Sequence, residues 1–167
     1  AHRESDFEHF VTIRQKSLAL PGVVALTHLV HRLGGYVSLV SNRDGSYRDA
    51  SGSTLAATIA NLKQQNIVFD QVILANYKTS QHPSDKNPRF NAVIYGHYDS
   101  HEMVWSKRLP PHQVIAYFGD NIQDFPRFKQ AAVDALPDDS KTYEVFGAGY
   151  FILPNPMYGS WEANRYH

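Results

Sequence analysis

Short apolar runs alternate with amphipathic stretches along this chain. Four of the runs are rich in β-branched or aromatic residues and nearly continuous in apolar character, which is typical of strands buried on both faces of a parallel sheet. They span residues 36–41, 72–75, 114–118 and 150–153. Each run is therefore predicted to be a buried strand.

Three other stretches repeat apolar residues at helical spacing. The first starts at Pro21 and stops at Gly34 and Gly35, the second begins near Ser53, which suits an N-cap, and the third follows Asp124. The repeated apolar positions are Val23, Leu26, Val30 and Leu33; Leu55, Ile59 and Leu62; and Phe125, Phe128, Ala132 and Ala135. The alternation predicts a single α/β domain over residues 1–167 with a mostly parallel sheet. Residues 76–88 and 97–111 are predicted to be surface loops.

Charge and cysteine content then narrow the function. Sixteen Lys and Arg side chains balance sixteen Asp and Glu side chains, so no broad field draws the molecule to a nucleic acid polymer or an anionic membrane. The sequence has no cysteine, which excludes thiolate catalysis and thiolate metal ligation. No apolar run is long enough to span a bilayer, and residues 1–10 lack the apolar core of a targeting signal. Any bound anion is thus expected at a local site.

Polar residues follow two of the predicted strands, at the carboxyl ends where open parallel sheets bind ligands. They are Ser41, Asn42 and Arg43 after the first strand, and Asp120, Asn121 and Asp124 after the third. If these strands are neighbours or nearly so, a hydroxyl, an amide and two carboxylates converge at one rim. That arrangement would suit a metal ion and a phosphate.

Each of these residues also has a purely structural interpretation. Asp120 offers a hard oxygen ligand to Mg²⁺, with Asp124 orienting it, but Asp120 and Asn121 equally suit a turn whose following helix Asp124 caps. Ser41 suits either a phosphate ligand or a turn former. The loop residues Lys86 and Arg89 suit either closure over a phosphate or a solvated basic surface. The order hydroxyl, lysine, paired aspartates favours the chemical interpretation of the set.

Four segments together closely resemble the class C acid phosphatases, the bacterial lipoprotein acid phosphatase and 5′-nucleotidase family of the haloacid dehalogenase (HAD) superfamily. The segments are ALPGVVALTHLVHRLGGYVSLVSNR, KNPRF, VIAYFGDNIQDF and YFILPNPMYGSWE, and the similarity runs over residues 7–161. The resemblance implies a Rossmann-like three-layer α/β fold. It also implies Mg²⁺-dependent hydrolysis of phosphomonoesters, such as 5′-nucleotides and aryl phosphates, through an aspartyl-phosphate intermediate.

The resemblance assigns roles to particular residues. Ser41 would hydrogen-bond the phosphoryl group, and Lys86 would neutralise it while holding the nucleophile. Asp120 would ligate Mg²⁺, and Asp124 would support Asp120. Asn42 and Arg43 would shape the rim, and Tyr158 would line the pocket for the leaving group. Arg89 and Asn121, which the resemblance does not assign, are also expected to bind the substrate because of their places in the loop and the turn.

The chain departs from that family at its most reactive position. The family begins with a strand ending in Asp-x-Asp-x-Thr, whose first aspartate attacks phosphorus and whose second acts as general acid and base. No two aspartates stand two apart in this sequence. Because that strand is central in the family's sheet, its loss would expose two strand edges, and we expect a preceding segment that carries it. The alternative is a non-catalytic homologue that keeps the scaffold to bind a nucleotide or a partner.

Location and assembly are also implied by the resemblance alone. It points to the bacterial cell envelope, as a periplasmic or outer-membrane lipoprotein. Membrane anchoring would then depend on a lipid attached to the missing amino-terminal segment. A homodimer is left open.

Overall fold

The structure is a computed structural model that describes residues 18–50 and 52–155. It contains four α-helices and seven strands in these residues. The helices are α1 (Val23–Arg32), α2 (Thr54–Gln64), α3 (Asn87–Tyr95) and α4 (Gln130–Val133). The strands are β1 (Ser38–Asp44), β2 (Arg48–Asp49), β3 (Gly52–Ser53), β4 (Gln71–Ala75), β5 (Met103–Trp105), β6 (Tyr117–Gly119) and β7 (Tyr150–Ile152). None of the described helices is long and apolar enough to cross a membrane.

The first two helices have the ends that their sequences predict. Helix α1 is followed by Gly34 at a φ of 79°, and the Gly35 N–H donates to the carbonyl of Val30 at 2.9 Å. A left-handed residue of this kind closes a helix because glycine has no Cβ to clash. Helix α2 is capped by Ser53, whose side chain accepts from the Ala56 N–H at 3.2 Å. Both boundaries are therefore confirmed.

The strands form small sheets of mixed direction. Strand β4 lies between β1, to which it is parallel, and β5, to which it is antiparallel. Strands β6 and β7 pair in parallel as a separate two-stranded sheet, and β2 and β3 form a short antiparallel pair. The α/β class is confirmed. The mostly parallel sheet is replaced by these smaller mixed sheets, and the described residues do not form a clear three-layer stack.

Two predicted loops contain regular structure. The antiparallel strand β5 lies within residues 97–111, and α3 begins at the end of the loop at 76–88. Both elements are partly buried: Met103 on β5 and Ala92 and Val93 on α3 pack with Ile73 of β4 in one apolar cluster. Strand β4 is buried along its whole length. The core thus forms where α3 and β5 cover β4.

The helix predicted after Asp124 is wrong over most of its length. A short 3₁₀ turn ends at Asp124, and only the one-turn helix α4 follows. Phe125 is 1% exposed and stacks on Tyr150 of β7 with ring centroids 5.2 Å apart. Phe128 lies edge-on to Phe146 at 5.4 Å. The apolar spacing in this segment serves aromatic packing onto β7 rather than a helix face.

Tyrosine packing also extends along β6. Tyr117 lies edge-on to Tyr150 at 5.1 Å and to Phe90 of α3 at 5.6 Å. Burial, with a smaller contribution from Tyr150, raises the pKa of the Tyr117 phenol to about 12. These contacts connect α3 with the sheet of β6 and β7. The helix therefore touches that sheet as well as β4 of the three-stranded sheet.

Candidate active site

An ion pair joins the loop before α3 to the turn after β6. The Lys86 ammonium lies 2.6 Å from Oδ1 of Asp124, and the two side chains are only 13% and 14% exposed. An ion pair so shielded from water is stronger than a surface pair because solvent screens it less. Two residues that stand 38 positions apart in the sequence are thus held at one point.

Asp124 also organises the turn that carries Asp120. Its Oδ2 accepts from the backbone N–H groups of Asp120 at 3.0 Å and Asn121 at 3.1 Å. The Asn121 side chain accepts from the Gln123 N–H at 2.9 Å, which completes a reciprocal capping box. The turn of the structural interpretation is thus present, although Asp124 is the third residue of that turn and not the cap of a following helix. This role does not compete with the chemical one, because the same carboxylate also binds Lys86.

The turn after β6 brings Asp124 so close to position 119 that only glycine fits there. A Cβ added at Gly119 would lie 2.3 Å from Cβ of Asp124, far inside van der Waals contact. We expect Gly119→Ala to lower the free energy of unfolding by about 1–3 kcal/mol, the usual cost of overpacking. Urea unfolding monitored by circular dichroism measures this change. Gly149→Ala is the matched control, since its Cβ would meet only the Ile115 carbonyl at 3.7 Å; equal losses in both variants would contradict the steric explanation.

Asp120 is fixed from its other side by Asn155. The Asn155 side-chain amide donates to Oδ2 of Asp120 at 2.6 Å. Asn155 belongs to the Leu-Pro-Asn segment that follows β7 and is not among the predicted site residues. Only the parallel pairing of β6 with β7, which places Gly119 beside Ile152, brings the two residues together.

The carboxylates differ in their fitness for Mg²⁺. This ion prefers oxygen ligands, often one or two carboxylates supplemented by water and substrate phosphate. The Asp120 carboxylate could supply one such ligand, and its Oδ2 already accepts from Asn155. Both oxygens of Asp124 instead accept from N–H donors, which a cation would have to displace. The described residues contain no group of three or more His, Asp or Glu side chains that could hold a metal ion.

The end of β1 is connected to the Lys86 loop through Asn42. The Asn42 amide donates to the Ser84 carbonyl at 3.1 Å, and its oxygen accepts from the Arg89 guanidinium. Ser41 Oγ accepts from the Arg43 N–H at 3.2 Å, and the Arg43 guanidinium donates to Thr58 of α2 at 3.2 Å. The Ser41 side chain thus accepts from the backbone two residues later, as in a turn. Its neighbour Asn42 is the residue that contacts the loop of Lys86.

A second connection supports the ion pair. Oδ1 of Asn87, the first residue of α3, accepts from the Arg127 N–H at 3.1 Å. Arg127 has a φ of 68°, a left-handed conformation that costs energy for a residue with a Cβ. Lys86 and Asn87 therefore bind two points on the segment after β6. The amino-terminal end of α3 joins the ends of β1 and β6.

The predicted site residues thus fall into two connected groups. One contains Lys86, Asp120, Asn121 and Asp124; the other contains Asn42, Arg89 and their neighbours Ser41 and Arg43. The short segment from Ser84 to Lys86 joins them. Tyr158 lies outside the described residues.

A comparison with known families identifies the family of this chain. The chain matches the model of a HAD-superfamily family, described as subfamily IIIB (acid phosphatase), over residues 1–161. It therefore belongs to the subfamily IIIB acid phosphatases of that superfamily. HAD phosphatases generally use Mg²⁺ and act on phosphomonoesters. No solved structure matches the chain.

Proposed function

We propose that this protein is a Mg²⁺-dependent acid phosphatase that hydrolyses phosphomonoesters, such as 5′-nucleotides and aryl phosphates, through an aspartyl-phosphate intermediate. The observation that carries the proposal is the contact of Lys86 with Asp124, whose other oxygen holds the backbone of Asp120. One ammonium and one further carboxylate are thereby arranged around the turn after β6. Membership of an acid phosphatase family supports the same conclusion.

Lys86 would supply positive charge to the transferring phosphoryl group. A lysine ammonium has three donors, and Asp124 accepts from one of them at 2.6 Å. Because this site is largely shielded from water, the charge would stabilise the transition state more than a surface lysine could. Ser41 would donate its hydroxyl to a phosphoryl oxygen from the end of β1.

Asp120 would hold Mg²⁺, with water and substrate phosphate at other positions. The bound ion would offset the repulsion between an attacking carboxylate and the phosphate. Asp124 would act on Asp120 through the backbone, and Asn155 would fix the orientation of the Asp120 carboxylate. These contacts favour one carboxylate orientation before any ligand binds.

The attacking aspartate would lie outside the 167 residues, since the sequence contains no Asp-x-Asp pair. In the proposed reaction its carboxylate forms a bond to phosphorus while the ester oxygen leaves and takes a proton from the second aspartate. Water then attacks the acyl phosphate, gives its proton back to that second aspartate and releases inorganic phosphate. The chain's own residues would bind the phosphoryl group and the metal in both steps.

One observation favours a second candidate, a nucleotide-binding protein without turnover. The same missing aspartate pair removes the nucleophile and a metal ligand from these residues, whereas the phosphate-binding groups remain. Such a protein would bind a nucleoside monophosphate and release no phosphate from it.

Phosphate release from a 5′-mononucleotide and from an aryl phosphate at mildly acid pH separates the two candidates. We expect turnover that a chelator abolishes and added Mg²⁺ restores. The intact mass of the same preparation must be measured, because the 167 residues alone account for 18.9 kDa. Nucleotide binding without phosphate release would support the binding protein and contradict the enzyme.

A further inference from the structure

Arg89 is a buried charge in the first turn of α3. Its side chain is among the most buried in the described residues, with 1% exposure. The guanidinium donates to the Pro83 carbonyl at 3.1 Å and to Oδ1 of Asn42. Burial lowers the pKa of Arg89 to about 10, with Tyr77, Asp85 and Glu102 opposing the shift. The group is therefore charged at neutral and acid pH, where its desolvation must be offset by these contacts.

The two acceptors of Arg89 lie on different parts of the fold. Pro83 belongs to the loop before α3, whereas Asn42 lies in β1, next to Ser41. Asn42 in turn donates to the carbonyl of Ser84 at 3.1 Å. Two consecutive residues of the loop, Pro83 and Ser84, are thus held against the end of β1. Lys86 follows two positions later.

We propose that Arg89 is a positioning residue, which fixes the loop at Pro83 and Ser84 so that the Lys86 ammonium stays at Asp124. Its effect on catalysis rests on the proposed phosphatase function; its effect on Lys86 does not. The guanidinium donates to a carbonyl and an amide oxygen and is 1% exposed, so it is shielded from a phosphate in solvent. This role differs from the substrate-binding role that the sequence suggests.

Arginine is suited to this role because its planar fork donates in two fixed directions. A lysine at the same position keeps the charge and much of the aliphatic volume but presents a single point of donation. Arg89→Lys should therefore loosen Pro83 or Asn42 without leaving an empty core. An arginine that merely fills the core would affect overall stability but not the environment of Lys86 in particular.

The test measures the rate of reductive methylation of Lys86 by mass spectrometry in folded wild type and Arg89→Lys. We expect the rate at Lys86 to rise on the order of fivefold, as when a hydrogen bond of a charged group no longer opposes local opening. Lys63, in the last turn of α2, is the internal reference and should not change. An unchanged rate at Lys86, or an equal rise at Lys63, overturns the proposal.

Arg108→Lys is the matched control. The Arg108 guanidinium lies 4.8 Å from the centroid of the Trp105 ring and 5.6 Å from that of the Tyr98 ring. The Tyr98 hydroxyl donates to Gln71 at the amino-terminal end of β4, whereas Ser41 pairs with Leu74 near its carboxyl end. The same substitution there should leave Lys86 labelling unchanged. Should Arg89→Lys fail to fold, Asn42→Ala provides a second variant, because it removes both the acceptor of Arg89 on β1 and the donor to Ser84. It should also raise labelling at Lys86, and a wild-type rate would overturn the proposal.

Steady-state kinetics provide a second measurement, which a change in overall stability alone would not affect. In Arg89→Lys we expect kcat for phosphate release to fall on the order of tenfold, as for groups that orient a catalytic residue, with KM within about twofold. If Lys86 is methylated faster in Arg89→Lys but kcat stays at the wild-type value, the proposed effect of Arg89 on catalysis is contradicted. A wild-type protein that releases no phosphate contradicts the proposed function, and the labelling experiment still decides the role of Arg89.

Discussion

Replacement of Lys86 by glutamine is expected to lower kcat for phosphate release by about 100- to 1000-fold, the loss typical when a preorganised electrostatic contact to the transition state is removed. The ammonium lies where the loop before α3 meets the turn after β6 and is only 13% exposed. Glutamine keeps a donor but no charge, so a phosphoryl group would lose its neutralising partner. Steady-state kinetics with an aryl phosphate measure the change.

Lys78→Gln is the matched control for this experiment. Lys78 lies in the same loop and is exposed to solvent. The substitution makes the same change in net charge, which isolates the position of the charge from its amount. Equal activity in the two variants would contradict a phosphoryl-binding role for Lys86.

The same lysine should also contribute to stability through Asp124. In a double-mutant cycle of Lys86→Gln and Asp124→Asn, we expect a coupling of about 1–2 kcal/mol in the free energy of unfolding, within the range for contacting charged groups. Asparagine at position 124 keeps an oxygen for the Asp120 and Asn121 N–H groups, so the cycle isolates the ion pair. A coupling near zero would show that solvent screens the pair.

Local signals in the sequence predict the ends of α1 and α2 and the buried strand β4, whereas β1, β6 and β7 are less buried than predicted. Ser53 caps α2 because a hydroxyl there satisfies a free N–H, and that needs no information beyond three residues. The apolar run at 72–75 becomes β4, which is buried throughout. The apolar spacing at residues 125–135 does not give the predicted helix: Phe125 is buried, whereas Ala132 and Ala135 are exposed. Phe125 meets Tyr150 instead of a neighbouring helix.

The site contacts depend on pairing between distant segments, and spacing in the sequence cannot give them. Asn155 reaches Asp120 only because β7 pairs with β6 in a particular register. Arg89 illustrates a different limit. A basic residue after a polar loop suggests a solvated or ligand-binding charge, because arginine is rarely buried unless paired. The partners that allow its burial, Asn42 and Pro83, are backbone and amide oxygens without any charge pattern to mark them.

Asp120→Asn should raise the Mg²⁺ concentration needed for half-maximal activity and reduce kcat/KM on the order of 100-fold or more. Substitution of a residue that only orients a metal ligand already lowers metal affinity or activity by about 10- to 100-fold. Asp120 is the proposed metal ligand itself among the described residues, so a larger loss is expected. Asparagine has nearly the same shape and can present its oxygen to Asn155, which holds Oδ2 of Asp120 at 2.6 Å. The variant should therefore fold normally while losing the negative charge that attracts the ion.

Mg²⁺ titration of the residual activity separates a loss of metal affinity from a loss of structure. A weakened site should require more Mg²⁺ for half-maximal turnover, whereas a misfolded one should not respond to added metal. Asp99→Asn provides the control, because Asp99 is exposed and its oxygen accepts from the His101 N–H, which asparagine can also do. Both substitutions remove one negative charge, so a selective effect at Asp120 reflects its place in the turn after β6. Turnover that keeps the wild-type Mg²⁺ requirement in Asp120→Asn would remove Asp120 from the metal site and leave Lys86 as the remaining support for phosphate chemistry.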